Sequence, residues 1–203
     1  MYGAILGDII GSPFEFDRGE KTKDFKLFNR RSHFTDDSIM TLAVAEALLK
    51  VRLDATVEEI EEVVITSMQS WGRRYPHAGY GGYFSQWLRL KHPQPYNSFG
   101  NGSAMRVSAV GWLYDSIERT KEVAKATANV THNHPEGIKG AEATACAIYL
   151  ARNRSSKEEI KTYIEKEFHY DLNRTLNEIR PDYHMDENMS ENSPGSNYCL
   201  SRK

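Results

Sequence analysis

Apolar residues in this chain recur at helical spacing, and strand-like alternation is scarce, which restricts the fold to helices packed on helices. Val57, Ile60, Val64, Met68 and Trp71 fall at three- and four-residue intervals along one face. Thr56 precedes them and Glu59 follows three residues later, the pattern of a capping box, so the spacing predicts a helix over 57–73. Ile39, Leu42, Ala43, Ala47 and Leu49 mark another over 37–51, with small residues that let a neighbouring helix approach closely. Further helices are expected over 3–11, 82–90, 103–116, 118–129, 135–153, 156–168 and 171–179, separated by short segments rich in Gly, Pro, Asn and His. The expected fold is all-α, with its chemistry in the loops.

A chain of 203 residues with 39% hydrophobic content has material for one domain with a real core, here read as residues 1–180. From Pro181 the texture changes to a polar, aperiodic run, so 181–203 reads as a tail with little to bury. The formal net charge of −2 supplies no basic field, which argues against nucleic acid or an anionic membrane as partner. Cys146 lies in a helical stretch and Cys199 in the tail, which is no disulfide framework and suits a reducing, cytoplasmic setting. The N-terminal apolar run lacks a basic flank and is broken by Asp8, so it reads neither as a signal peptide nor as a membrane span.

The chemistry gathers at the mouths of the predicted helices. His33-Phe34-Thr35-Asp36-Asp37-Ser38 puts a hydroxyl and two adjacent carboxylates at the start of the 37–51 helix. Such a run caps a helix by accepting its free N–H groups. It equally offers hard oxygen ligands to a divalent cation such as Mg²⁺ or Mn²⁺. Glu15, between Phe14 and Phe16, is a ligand, a carboxylic acid of raised pKa, or a surface residue. Gly79-Tyr80-Gly81-Gly82-Tyr83 is a turn whose backbone can approach a ligand and whose aromatics can stack on a ring.

Ser98-Phe99-Gly100-Asn101-Gly102-Ser103-Ala104-Met105-Arg106 leads into a predicted helix, so several free N–H groups can face one anion, although the Lys of a P-loop is missing. Arg106 is placed to pair with a phosphate or with a buried carboxylate. In Thr131-His132-Asn133-His134-Pro135-Glu136 the two histidines lack the companions of a zinc site, and an imidazole lining a polar pocket is the better reading.

The ordered set Gly3-Ala4-Ile5-Leu6-Gly7-Asp8, Thr35-Asp36-Asp37-Ser38, Ser98 to Arg106 and Thr131 to Glu136 resembles the ADP-ribosylglycohydrolase family over residues 1–180. The resemblance implies an orthogonal all-α domain holding two Mg²⁺ or Mn²⁺ ions, and hydrolysis of the bond joining ADP-ribose to a protein side chain or related conjugate. By that resemblance Thr35, Asp36 and Asp37 ligate metal, and Glu15 lies at the metal site. Glu15, Asp36 and Asp37 are then the catalytic carboxylates. Ser98, Gly100, Asn101, Gly102, Ser103 and Met105 would hold the diphosphate and distal ribose, His132 would touch substrate, and Tyr80 and Gly81 would border it. The family's second metal motif, an Asp-x-Asp-Thr run near the C-terminus, has no counterpart after Pro181-Asp182-Tyr183-His184. The expectation is therefore an incomplete domain without its final helices, with weakened metal binding and impaired turnover, and with bared apolar surface that favours self-association. The alternative is a noncatalytic helical domain that binds ADP-ribose or a nucleotide.

Overall fold

The computed structural model describes residues 1–16 and 24–179; the polar tail expected over 181–203, with Cys199, lies outside them. The described residues are helical, without a strand, as the periodicity predicts. The helices are α1 (Tyr2–Gly11), α2 (Asp36–Leu48), α3 (Val57–Arg74), α4 (Gly82–Trp87), α5 (Ser108–Leu113), α6 (Ile117–Asn129), α7 (Pro135–Arg152), α8 (Lys157–Phe168) and α9 (Leu176–Ile179), with 3₁₀ turns at Ser12–Phe14 and Asn101–Ser103.

Local chemistry explains most of the boundaries. Thr56 accepts the N–H of Glu59 while Glu59 accepts that of Thr56, closing the anticipated capping box of α3. Ser156 and Glu159 do the same for α8. Pro135 opens α7 at a position where its missing N–H costs nothing, and His134 caps the turn through Nδ1, accepting from the N–H of Glu136.

Three predicted helices are corrected. The 103–116 helix is a 3₁₀ turn, then irregular turns, then the short α5, because Ser103 donates to the carbonyl of Gly137 and Arg106 is drawn inward to α6, and these tertiary bonds override local propensity. The 171–179 helix shrinks to α9. His169 ends α8 in the left-handed conformation (φ 58°), Asp171 accepts the N–H of Asn173 in an Asx turn, and Thr175 with Glu178 restarts the helix only at Leu176. The 82–90 helix is also shorter, ending at Trp87.

Packing runs α1 on α2, α2 on α3, α3 on α6, and α6 and α5 on α7, with α8 on the far side of α7. Met40 and Val44 of α2, Ile60, Val64 and Met68 of α3, Val110 of α5 and Val123 of α6 form the main core. A smaller cluster, Ala143 and Cys146 against Ile164, Phe168 and Tyr170, fastens α8 to α7. Close approach needs small residues: a Cβ on Gly111 of α5 would stand 2.7 Å from the carbonyl oxygen of Ala145 on α7. The anticipated approach of α2 is visible where Ser67 of α3 donates to the buried carbonyl of Ala43 at 2.8 Å. By contrast, the strongly apolar α1 has no fully buried residue, leaving Tyr2 and Leu6 exposed, and Phe16, Phe25, Leu27, Phe28 and Phe34 are exposed in the segments that follow it. No helix among the described residues is long and apolar enough to cross a membrane.

Candidate active site

The site is built on the first turn of α2. Thr35, almost fully buried, is its N-cap: the side-chain oxygen accepts the N–H of Asp37 at 3.3 Å. The same hydroxyl donates to Oδ1 of Asp8 at 2.6 Å. Asp8 lies on α1, and its other oxygen, Oδ2, accepts from the Thr35 N–H (2.8 Å), the Ser38 N–H (3.2 Å) and the Ser38 hydroxyl (2.5 Å). One carboxylate thus collects four donors from the mouth of a helix, where the dipole favours negative charge. Sequence reasoning passed over Asp8 as a break in an apolar run. The available signal was that break: a lone acid in a ten-residue apolar helix needs donors, and a Thr-x-x-Ser helix start supplies them.

With Asp8 occupied, Asp36 and Asp37 stand half-buried on the first turn, and Glu15 follows the 3₁₀ turn that ends α1. Asp37 carries the electrostatic consequence. Enclosure of its carboxyl is the largest influence, followed by the charges of Asp36, Asp8 and Glu15, and together they push its pKa up to about 8 against the opposing Thr35 hydrogen bond. Four carboxylates from three chain segments therefore share one field. All candidate donors, the Thr35 hydroxyl included, are hard oxygens, a set that fits Mg²⁺ or Mn²⁺ and not a softer ion. Among the described residues, however, no three acidic, imidazole or thiol groups converge closely enough to enclose an ion by themselves. The donors fit such a cation in kind, while the rest of a coordination shell has to come from elsewhere.

Two loops border this field. Gly79, at φ +101°, turns the chain so that a Cβ there would meet Asp36 Oδ1 at 3.7 Å. This sets Tyr80 beside the acids: burial and the charge of Asp36 raise its hydroxyl to about 12. Gly81 is exposed and caps α4. An aromatic line, Tyr83 stacked on Tyr96 and Tyr96 tilted against His132, with centroids 6.1 Å apart in each pair, joins this loop to the second.

The second loop runs from Ser98 to Met105 and is anchored at both ends. The Ser98 hydroxyl accepts the N–H of Gly100, and the Met105 carbonyl accepts from Thr41 of α2 at 3.1 Å. Gly100, Asn101 and Gly102 are half-buried and accessible, whereas the Ser103 side chain is sealed against Gly137 at 2.6 Å, leaving Ser103 only its backbone to offer a ligand. Gly102 sits against the imidazole of His132, whose Nε2 would lie 2.9 Å from a Cβ there.

Arg106 meets neither of its sequence-level readings. It is 1% exposed and donates from Nη2 to the carbonyl of Thr127 and the hydroxyl of Thr131, both at 2.8 Å. It is a buried strut, which no local pattern signals because Thr127 and Thr131 meet it only once α6 has packed. A separate cavity of about 160 Å³, lined by Gly72, Arg73, Pro76, Ser85, Leu88 and Arg89, touches this region only through Tyr80.

Residues 1–200 match the ADP-ribosylglycohydrolase family. The chain belongs to that family. Similar relatives are the ADP-ribosylhydrolase ARH3 of Gallus gallus, 29% identical over 184 residues (74% of this chain, 48% of the relative), that of Homo sapiens, 28% over 194 residues (78% and 50%), and that of Mus musculus, 30% over 196 residues (78% and 50%). The chain spans about half the length of the curated relatives it matches. Among ADP-ribosylglycohydrolase features, the all-α architecture is thus present.

Proposed function

We propose that this domain binds ADP-ribose conjugates across the Ser98–Met105 loop and hydrolyses the bond from the terminal ribose to its acceptor, beside the acidic mouth of α2. The observation that supports the reading is the charge that Asp36, Asp8 and Glu15 exert on Asp37, next to the Asp8-clamped Thr35, in a member of the ADP-ribosylglycohydrolase family. Thr35, Asp36, Asp37 and Glu15 are the residues that would hold Mg²⁺ or Mn²⁺. When bound, such an ion supplies Lewis acidity and orients ribose hydroxyls and water.

The chain's own groups do the rest. A glycosidic bond breaks through a transition state with positive charge on the ribose carbon, and nearby carboxylates stabilise that charge. Glu15 would transfer the proton, while Asp36 and Asp37 would hold the ion. The N–H groups from Asn101 to Ser103 face the diphosphate, with the Asn101 side chain within the same loop and Met105 anchoring its end. His132 donates to a ligand oxygen. Tyr80 and Gly81 flank the ribose and limit water access. The acceptor is an ADP-ribosylated protein side chain or a small conjugate, joined through nitrogen or oxygen.

Mixing the protein with an ADP-ribosylated peptide and millimolar Mg²⁺ is expected to release ADP-ribose, with EDTA or Asp36→Ala abolishing the release. A second reading, a noncatalytic ADP-ribose binder, draws support from the absence of any self-sufficient enclosing set of metal donors among the described residues. Calorimetry separates the two: ADP-ribose binding that persists in EDTA and in Asp36→Ala, without release of product, replaces the hydrolase with the binder.

A further inference from the structure

Beneath the Gly100–Gly102 loop a buried relay of hydrogen bonds ends on His132. Nη2 of Arg106 has two hydrogens, and it gives one to the Thr127 carbonyl and the other to Thr131 Oγ1, each at 2.8 Å. A guanidinium only donates, so Thr131 Oγ1 is an acceptor in that bond. The hydroxyl's own hydrogen has one partner within reach, Nδ1 of His132 at 2.7 Å. With the hydroxyl donating there, Nδ1 is the unprotonated ring nitrogen and the ring hydrogen sits on Nε2. A Cβ on Gly102 would stand 2.9 Å from Nε2, and among the described residues Nε2 has no hydrogen-bond partner, although His132 is only 5% exposed.

We propose that Arg106 and Thr131 are positioning residues that fix His132 as its neutral Nε2–H tautomer, so that the loop presents one uncharged donor to an acceptor oxygen of the bound ligand. The inference rests on the reading of this loop as the ADP-ribose cradle. Two further observations agree with it. Burial and the Arg106 charge hold His132 far below its ordinary pKa, at about 3, so the ring stays neutral at physiological pH. The loop also keeps a glycine where any side chain would strike the Nε2 edge, so no side chain of the loop covers it. A neutral, oriented donor selects an acceptor oxygen by geometry, whereas an imidazolium would attract any anion.

The test is nitrogen-15 NMR of histidine-labelled protein, free of ligand, at neutral pH. The expected wild-type spectrum has His132 Nδ1 at the position of an unprotonated ring nitrogen and Nε2 at that of a protonated one. Thr131→Val, which keeps the shape and removes the hydroxyl, is expected to erase that preference and to weaken ADP-ribose binding about tenfold, the worth of one hydrogen bond. Thr131→Ser is expected to restore both. A protonated Nδ1 in the wild type, or a Thr131→Val spectrum identical to the wild type, overturns the proposal. The first of these needs no variant, so failure of Thr131→Val to fold does not shelter it. Absence of ADP-ribose binding by a wild type that shows the expected tautomer overturns the cradle reading instead, and leaves the relay standing.

Discussion

Removing the Asp8 carboxylate should cost this fold more than any single surface charge, because it holds α1 to the mouth of α2 with four hydrogen bonds. Two of the donors are hydroxyls that can rotate to other partners. The other two, the N–H groups of Thr35 and Ser38, belong to the first turn of a helix and are left unsatisfied. Hydrogen bonds to a charged acceptor contribute about 1.5–3 kcal/mol each but do not sum when one group makes them all, so Asp8→Ala should destabilise by about 3 kcal/mol. An opposing effect exists, since Asp8 is one of the charges that burden Asp37. It ranks behind enclosure and Asp36 there, so its removal offsets only part of the loss.

Asp8→Asn should behave differently. Its amide oxygen, set in the place of Oδ2, keeps three donors, and its NH₂ turns to the Thr35 oxygen, reversing one bond at a cost of about 1 kcal/mol. Urea titrations followed by circular dichroism in EDTA read the clamp without any contribution from metal. The corresponding thermal midpoints should fall by about 6–12 °C for Asp8→Ala at this chain length. A loss below about 1 kcal/mol for Asp8→Ala, or an Asp8→Asn loss as large, would refute the clamp.

Gly111→Ala should destabilise by about 1–3 kcal/mol in the same titrations, because the new methyl meets the Ala145 carbonyl oxygen at 2.7 Å and a helix backbone cannot step aside; a neutral result would mean that α5 and α7 lie further apart. His132 has a folded pKa near 3 against an ordinary value of 6.5, so between these pH values the unfolded chain binds the proton and the folded one does not. Stability should therefore fall as pH drops from 6.5 toward 3, by up to about 1.4 kcal/mol per unit, and His132→Gln should remove that part of the slope in melts recorded across the range. Cys146 is fully buried and its thiol is pushed up to about 12, mainly by burial, so in a Cys199→Ser background a thiol reagent should label the native protein only on the timescale of unfolding, whereas rapid labelling would place Cys146 at the surface. Mn²⁺ titrated into the protein and read by water-proton relaxation should show binding that Asp37→Ala weakens at least tenfold; equal binding in the variant would move the ion elsewhere.

The all-α class, the caps at Thr35 and Thr56 and the run of most helices follow from periodicity and capping chemistry that operate within a few residues, and these were legible in the chain. The family motifs were legible for the same reason, each being a short string at a helix mouth. Where reading the chain failed, the deciding partner was distant. Asp8 meets Thr35 across 27 positions, Ser103 meets Gly137 across 34, and Arg106 meets Thr127 and Thr131 across 21 and 25. Local propensity favoured one continuous helix after Ser103, and the need to satisfy a buried guanidinium broke it. The order of residues thus sets which side chains carry oxygen, nitrogen and charge and on which helix mouths they stand. Only the packing of α1 on α2 and α6 on α7 decided that Asp8 becomes a clamp and Arg106 a buried strut, because burial without a partner is too costly for a polar group to choose its role locally.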